Sequence, residues 1–476
     1  MNWRLGRRSF LASLGAAAAG LLGSGKLNAA GLMGGAPGLS KTPKSGTKVD
    51  GSPIIAIKSG LGSTGDPYAE LGVTPIININ GIITVIGGSL MRPEVMELMR
   101  MGNEHFVFLD ELEVAAGKFI ANLCKSPAGY TGLVTGGAAA SILVGYAAMM
   151  TEDIEPRLKA IPDLTGFPRT EVIIQHAHRN AFDHQIRQTG AKLVVVRTRE
   201  EMVAAINPRT VAIHFTNVQA GEGQVKGPET VAIAKAHNIY TFCDASADVP
   251  PVSRLWEYPA VGFDMVTFSG GKDICGPAST GILIGKQDLI SWSLLNMSPQ
   301  EDRIGRPCKV GKEQILALLK ALELFVNQDE DATLRMYDAR AQVITDALAK
   351  FGVTPLPRCY DPEALGNVTP RYSWQWNLSK INLTGNQVIA ALAATRPVAI
   401  GYVLPPNYAG SQGLRGRPDP NAPADARGGG DAKRRGGGNP NSFGIAAWQI
   451  KEGEEKIVAE RLVEIFSEAM IATSQS

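Results

Sequence analysis

The sequence predicts an α/β protein organised on a mainly parallel sheet, and three observations carry that prediction. Short, continuous apolar runs alternate with helical stretches between Val172 and Cys243, the pattern of strands covered by helices on both faces. A further apolar run, Phe263-Asp264-Met265-Val266-Thr267-Phe268-Ser269, stops at Gly270-Gly271-Lys272, and Gly281-Ile282-Leu283-Ile284-Gly285 follows almost at once. These read as two more buried strands. From Glu313 onward a long helical region leads into short, separated strands, as in a smaller α+β domain.

With 476 residues the chain is too long for one small core, so two domains and a tail are the starting expectation. A hydrophobic content of 44% with 19% charged residues describes a globular protein. The net charge of +2 gives no strong field for nucleic acid or an acidic membrane, so neither partner is expected. No apolar stretch beyond the N-terminus is long enough to span a bilayer. Among the five cysteines, Cys124, Cys243, Cys275, Cys308 and Cys359, none forms a Cys-x-x-Cys pair, and no metal site is expected. Cys275, three residues past Lys272, reads as a small buried filler, with a second nucleophile as the alternative.

In chain order, the first residues read as an address. Arg7-Arg8-Ser9-Phe10-Leu11 is a twin-arginine motif, followed by an alanine-rich apolar run to Leu22 and a small-residue patch at Asn28-Ala29-Ala30. Residues 1–30 are therefore expected to be a twin-arginine signal peptide that engages the twin-arginine translocation machinery, giving a periplasmic or extracytoplasmic protein. Residues 31–65, rich in Gly, Ser, Pro and Lys, read as a flexible linker. A large domain spans 66–310, N-terminal segment included, and a small domain spans 311–476.

Pro75-Ile76-Ile77-Asn78-Ile79-Asn80-Gly81 reads as a short strand, and Arg92-Pro93-Glu94 opens a helix with proline near its first turn. Tyr130–Thr135, then Gly136-Gly137, then Ala138-Ala139-Ala140-Ser141 give a strand, a glycine turn and an alanine-rich helix. Such a turn aims backbone N–H groups and a helix dipole at whatever lies above it, an anion site; tight helix–strand packing is the alternative. The loop matches neither the phosphate-binding Gly-Lys-Ser/Thr pattern nor a dinucleotide Gly-x-Gly-x-x-Gly. Strands follow at Val172–Ile174, Leu193–Val196, Val211–Phe215 and Tyr240–Cys243. In such sheets function collects at the carboxyl ends of the strands, where Asp244 falls, either buried against a cation or capping the next helix. In the small domain, strands are expected near Gly352–Leu356, Ser373–Leu378 and Pro397–Val403. The segment 405–441, with its Arg-Gly-Gly-Gly repeats diluted by Asp419, Asp425 and Asp431, reads as a solvated insertion. Gly453–Ala469 closes the chain as an amphipathic helix.

A lysine at the end of a buried strand is desolvated, which lowers its pKa and makes its amine a nucleophile. Such an amine is the partner of a carbonyl cofactor, pyridoxal phosphate above all. That cofactor also needs a helix N-terminus for its phosphate and a carboxylate for its ring nitrogen, and Gly136-Gly137 and Asp244 stand in order before Lys272. Ser269 lies three residues before the lysine, where its hydroxyl could reach the phosphate too.

Asn78-Ile79-Asn80-Gly81, Gly87-Gly88-Ser89-Leu90-Met91, Thr135-Gly136-Gly137-Ala138-Ala139-Ala140, His178-Arg179-Asn180-Ala181-Phe182-Asp183-His184 and Ser269-Gly270-Gly271-Lys272-Asp273-Ile274-Cys275-Gly276-Pro277 together resemble the selenocysteine synthase (L-seryl-tRNA selenium transferase)-like group of fold-type I pyridoxal-phosphate enzymes. The resemblance runs from about Thr74 to Gly285 and returns at Gly453–Leu462. It implies a seven-stranded-type sheet, Lys272 as the lysine bonded to the cofactor, Asp244 at the ring nitrogen, and Gly136, Gly137, Ala138 and Ser269 at the phosphate. It implies a residue near His176 or His178 over the ring, with His178 taken as the candidate. Arg303 and Arg306 become candidates for a substrate carboxylate or for the partner subunit's phosphate site. The group often carries an arginine after its small-domain strand; here Arg396 precedes Val398-Ala399-Ile400-Gly401 and is the substrate candidate there.

The function expected on this basis is a lyase or transferase acting by α,β-elimination on a small amino acid or amino-sugar acid, with at least a homodimer as the working unit. A selenium transferase proper and a class V-type aminotransferase are the enzymatic alternatives. The former conflicts with the missing basic N-terminal tRNA-binding domain. A non-catalytic binding protein is disfavoured by an intact Lys272 and Asp244.

Overall fold

The computed structural model describes residues 61–361, 366–394, 399–400 and 441–475. The signal peptide 1–30, residues 31–60 of the linker, residues 405–440 of the insertion, and Arg396 lie outside the described residues.

Seven strands form one sheet: β2 (Tyr130–Thr135), β3 (Glu171–Gln175), β4 (Lys192–Val196), β5 (Thr210–Thr216), β6 (Tyr240–Asp244), β7 (Met265–Ser269) and β8 (Gly281–Lys286), after a short β1 (Ile76–Ile77). Their order is β2-β8-β7-β6-β5-β3-β4. The pairs from β7 through β4 are parallel, while β8 runs antiparallel to both β7 and β2. The mainly parallel sheet read from the apolar runs is what the chain forms.

Successive strand residues feed opposite cores, as the two-residue period of a strand requires. Val134, Phe215, Cys243, Val266, Phe268, Ile282 and Ile284 face helices 93–102, 109–123, 254–261 and 312–326. Leu133, Ala212, Phe242, Met265 and Leu283 face the helices Ala138–Thr151 and Gln287–Leu295. Helix Ala138–Thr151 is buried from Ala140 to its end, so it is apolar all round. Its Gly145 is forced by proximity, because a Cβ there would stand 2.7 Å from the Phe242 ring.

A second core gathers about a three-stranded sheet of order β12-β10-β9, with β9 (Thr354–Pro355), β10 (Arg371–Gln375) and β12 (Ser442–Ala446) all antiparallel. Trp374 stacks on Phe443 at 5.3 Å and donates from its indole to Thr345 Oγ1 at 3.0 Å. Helices Glu330–Ala349, Gly385–Ala394 and Glu454–Gln475 cover it.

Two segments sit elsewhere than the sequence reading places them. Ile77 and Ile79 belong to this second core, and β1 pairs in parallel with β11 (Ala399–Ile400). Conversely helix Lys312–Val326, read as part of the small domain, buries Ile315, Leu318, Leu322 and Phe325 against the large sheet. Both are long-range choices that periodicity alone does not specify.

Candidate functional site

Phe242, Met265 and Leu133 point toward helix Ala138–Thr151, so Asp244, Thr267, Ser269 and Thr135, each an even number of residues on, project to that same face. Asp244 ends β6 and is 5% exposed. One of its oxygens accepts from Ser246 N at 3.0 Å. His214 and Tyr146 lie beneath it, joined at 3.0 Å between Tyr146 Oη and His214 Nδ1, and both stack on Phe242.

The glycine turn closes β2 onto its helix. Gly137 has φ 105° and ψ 160° and precedes Ala138 as the cap, a conformation left essentially to glycine. A Cβ added there meets nothing within 4 Å, so the side of the turn it would occupy is open. Gly136 has no such room: a Cβ would stand 2.6 Å from Cys308 O. Thr135 Oγ1 ties the turn to Gly137 O at 3.1 Å and Ser141 Oγ at 2.7 Å. One strand away, Ser269 pairs with Gly281, and Gly281 in turn pairs with Thr135. A Cβ on Gly281 would come within 2.5 Å of the Gly137 carbonyl carbon, so glycine there lets Ser269 and the turn approach.

After Ser269 the chain makes a tight loop. Gly270 N donates to Thr280 O at 2.9 Å, Gly276 N to Gly270 O at 2.8 Å, and Cys275 N to Lys272 O at 2.9 Å. Neither Gly270 nor Gly271 could carry a side chain, with Thr280 Oγ1 and Ala278 Cα both 2.4 Å from the would-be Cβ. Cys275 takes a left-handed φ of 59°. The Gly87-Gly88-Ser89 segment closes over this loop, Ser89 Oγ donating to Gly271 O at 3.0 Å.

Lys272 is half-buried, and among the described residues its amine makes no hydrogen bond or ion pair. Burial lowers its pKa, against the pull of Asp244, Asp248 and Asp273. Asp248 is fully buried; burial, then Asp244, push it up to about 7, while Asn217, Arg254 and Lys272 pull it down. Asn217 at the end of β5 lies beside it. Asp248 and Asn217 escape a sequence reading: only the four-residue step from Asp244 hints at the first, and nothing local hints at the second.

Two candidates read from the sequence have contacts of their own. His178 is fully buried, edge-on to Phe215 at 4.7 Å, and burial pulls its imidazole down to about 3. His176, two residues earlier, is exposed. Arg303 spends its guanidinium on Leu295 O at 3.0 Å, Asp302 O at 3.0 Å and Glu155 Oε2 at 2.8 Å, which leaves no fork for a carboxylate. Arg306 is half-buried and leads into Cys308, whose carbonyl lies against Gly136.

The donor set fits a phosphorylated carbonyl cofactor: an amine without a partner, a carboxylate on the same sheet face, and an open glycine turn at a helix N-terminus. Residues 168–296 match the family described as Aminotransferase class-V. The chain is 27% identical over 336 residues to the D-glucosaminate-6-phosphate ammonia lyase of Salmonella typhimurium, covering 68% of this chain and 86% of that one. It is 30% identical over 167 residues to the L-seryl-tRNA(Sec) selenium transferase of Rhizobium meliloti, but spans only 34% of that protein's length. A solved D-glucosaminate-6-phosphate ammonia-lyase superposes with a TM-score of 0.67 at 24% identity, over 85% of this chain and 99% of that one. Residues 168–296 thus match the aminotransferase class-V family, the whole chain takes the fold-type I architecture, and it is a pyridoxal 5'-phosphate-dependent enzyme.

Proposed function

We propose that this enzyme is an ammonia lyase acting by α,β-elimination on a 2-amino acid with a β-hydroxyl, an amino-sugar acid above all. The observation that carries the reading is the Lys272 amine, desolvated and unpartnered, at the strand ends that also bear Asp244 and the Gly136-Gly137 turn. The name of the Salmonella relative, which it matches over most of both chains, supports the substrate class.

Bound pyridoxal phosphate supplies an electron sink that makes the Cα–H of an attached amino acid acidic. Lys272 holds the cofactor through its amine and then serves as the base that takes the Cα proton. The lowered pKa of its amine keeps a larger neutral fraction near pH 7 than an ordinary lysine has. Asp244 would stand at the ring nitrogen and favour its protonated form, and Ser269 with the N–H groups at Gly137 and Ala138 would hold the phosphate. As the Cα–H bond breaks, the electron pair forms the Cα–Cβ double bond while the Cβ–O pair leaves with the hydroxyl, protonated to water. One water is then taken up as the nitrogen departs, so the products are a 2-keto-3-deoxy acid and ammonia. Arg306 and Arg396 are the cations proposed for the substrate's acidic groups or a neighbouring subunit's phosphate. Incubating the enzyme with 2-amino-2-deoxy sugar acids and simple β-hydroxy amino acids, scored by keto acid and ammonia, tests the proposal. Release of ammonia from none of them overturns it.

The working unit proposed is a homodimer. Phe106 is 101% exposed and Phe108 74%, with Val107, Met101 and Val114 near them in sequence also exposed, and clustered exposed apolar side chains mark interaction surfaces. Export by the twin-arginine route, which passes folded proteins, is proposed from Arg7-Arg8 and its apolar run.

A further inference from the structure

A short segment from the far side of the chain, 366–369, crosses both loops of the site. Gly366 O accepts from the Arg254 guanidinium, which also donates to Asp248 O at 2.8 Å. Asn367 N donates to Ala247 O at 2.7 Å, in the loop after Asp244. Asn367 Nδ2 donates to Val249 O at 3.0 Å and also to Asp273 Oδ2, the residue beside Lys272. Asn367 Oδ1 accepts from Thr369 N at 2.7 Å, and Thr369 Oγ1 donates to Asp273 Oδ1 at 3.3 Å. Every polar atom of the Asn367 side chain is thereby used, and both oxygens of Asp273 are occupied.

The placement matters because Asp273, next in sequence to Lys272, is one of three carboxylates that act on its amine, with Asp244 and Asp248. An ion pair between Asp273 and Lys272 would hold the amine as ammonium, which is neither nucleophile nor base. We infer that Asn367 is a positioning residue for Lys272: with Thr369 it holds the Asp273 carboxylate in bonds of its own and leaves the lysine amine free. The inference rests on Lys272 being the cofactor lysine. Other charged or titratable groups also surround the pair. Asp244 and Asp248 act on Lys272 from the aspartate loop. Cys275, and Tyr337 from helix Glu330–Ala349, face Asp273, with Arg92 and Arg340 beyond them. Burial pushes Asp273 up to about 7 while Lys272, Thr369 and Asn367 pull it down, so the titration is read on the alkaline side of that range, where Asp273 is charged.

The test is a pH titration of the visible absorption band of the bound cofactor in the full-length holoenzyme. Asn367→Ala frees the carboxylate to turn to the Lys272 nitrogen, which favours the protonated form and moves the midpoint alkaline by about 1 unit. In Asn367→Ala combined with Asp273→Asn that displacement disappears relative to Asp273→Asn alone. Should Asn367→Ala fail to fold, Thr369→Val removes one donor only and is expected to move the midpoint the same way by less. An unchanged midpoint in the folded single variants, or an alkaline displacement that survives loss of the Asp273 charge, overturns the inference. A merely structural role would lower the thermal midpoint and leave the titration in place. Failure of the underlying reading is a separate result: borohydride would then fail to fix the cofactor on Lys272 in the unaltered enzyme.

Discussion

Replacing Gly137 by alanine separates the anion-site account of the glycine turn from a packing account. At φ 105° and ψ 160° an L-residue is strained, and holding one there costs about 1–3 kcal/mol. No neighbouring atom lies within 4 Å of the added Cβ, so the entire cost is conformational and not steric. If the backbone holds, cofactor-free stability falls by that amount and the methyl enters the open side of the turn. If it relaxes, the N–H groups of the first turn swing away from the phosphate. Either way cofactor affinity is expected to fall, and the same energy corresponds to roughly 5- to 150-fold in Kd. Urea unfolding of the cofactor-free protein and an absorbance titration with pyridoxal phosphate read the two effects. Gly129 provides the control: its φ is 81° and a Cβ there also meets nothing within 4 Å, but it opens β2 at the opposite end from the turn. Gly129→Ala should lose comparable stability with no loss of affinity. Equal losses of affinity in both variants, or none in Gly137→Ala, would refute the reasoning.

Three further outcomes follow from the same geometry. Asp244→Asn should still fix the cofactor on Lys272 under borohydride while turnover falls by two or more orders of magnitude; losing one partner of a buried charge pair also costs roughly 3–5 kcal/mol, so cofactor affinity should drop. Glu113, 3% exposed and accepting from Val134 N at 3.1 Å, is pushed by burial up to about 8 from 4.5. The folded state therefore keeps a proton that the unfolded state releases, and stability declines as pH rises from about 4.5 to 8; Glu113→Gln should flatten that decline, read as urea midpoints at pH 5 and pH 8.5. Phe106→Asp with Phe108→Asp should shift the dimer toward monomer in light scattering, and a native protein already monomeric while turning over would refute the proposed interface.

What the sequence made legible is what local chemistry controls. Continuous apolar runs such as Val172-Ile173-Ile174 and Ile282-Leu283-Ile284 have no stable place except a sheet covered on both faces, and they are fully buried there. Asp244, Gly137 and Lys272 could be placed at strand ends because each directly follows such a run. The misplacements share one cause, contacts between residues remote in sequence. Ile77 and Ile79 are apolar in the same way as the other strand residues, and only the distant Trp374 and Phe443 decide which core receives them. His176 and His178 look alike as residues closing a strand, and the 3₁₀ turn His176–His178 is what buries one and exposes the other. Asn367 carries no local signal, since its importance lies in Ala247, Val249 and Asp273, all about a hundred residues away.

The account turns on one nitrogen atom. Reducing the holoenzyme with borohydride and mapping the pyridoxyl-modified peptide by mass tests it directly. The label is expected on Lys272, with Lys272→Ala binding pyridoxal phosphate through the phosphate site yet carrying no label and making no keto acid. A label on any other lysine, or a labelled Lys272→Ala variant, would contradict it.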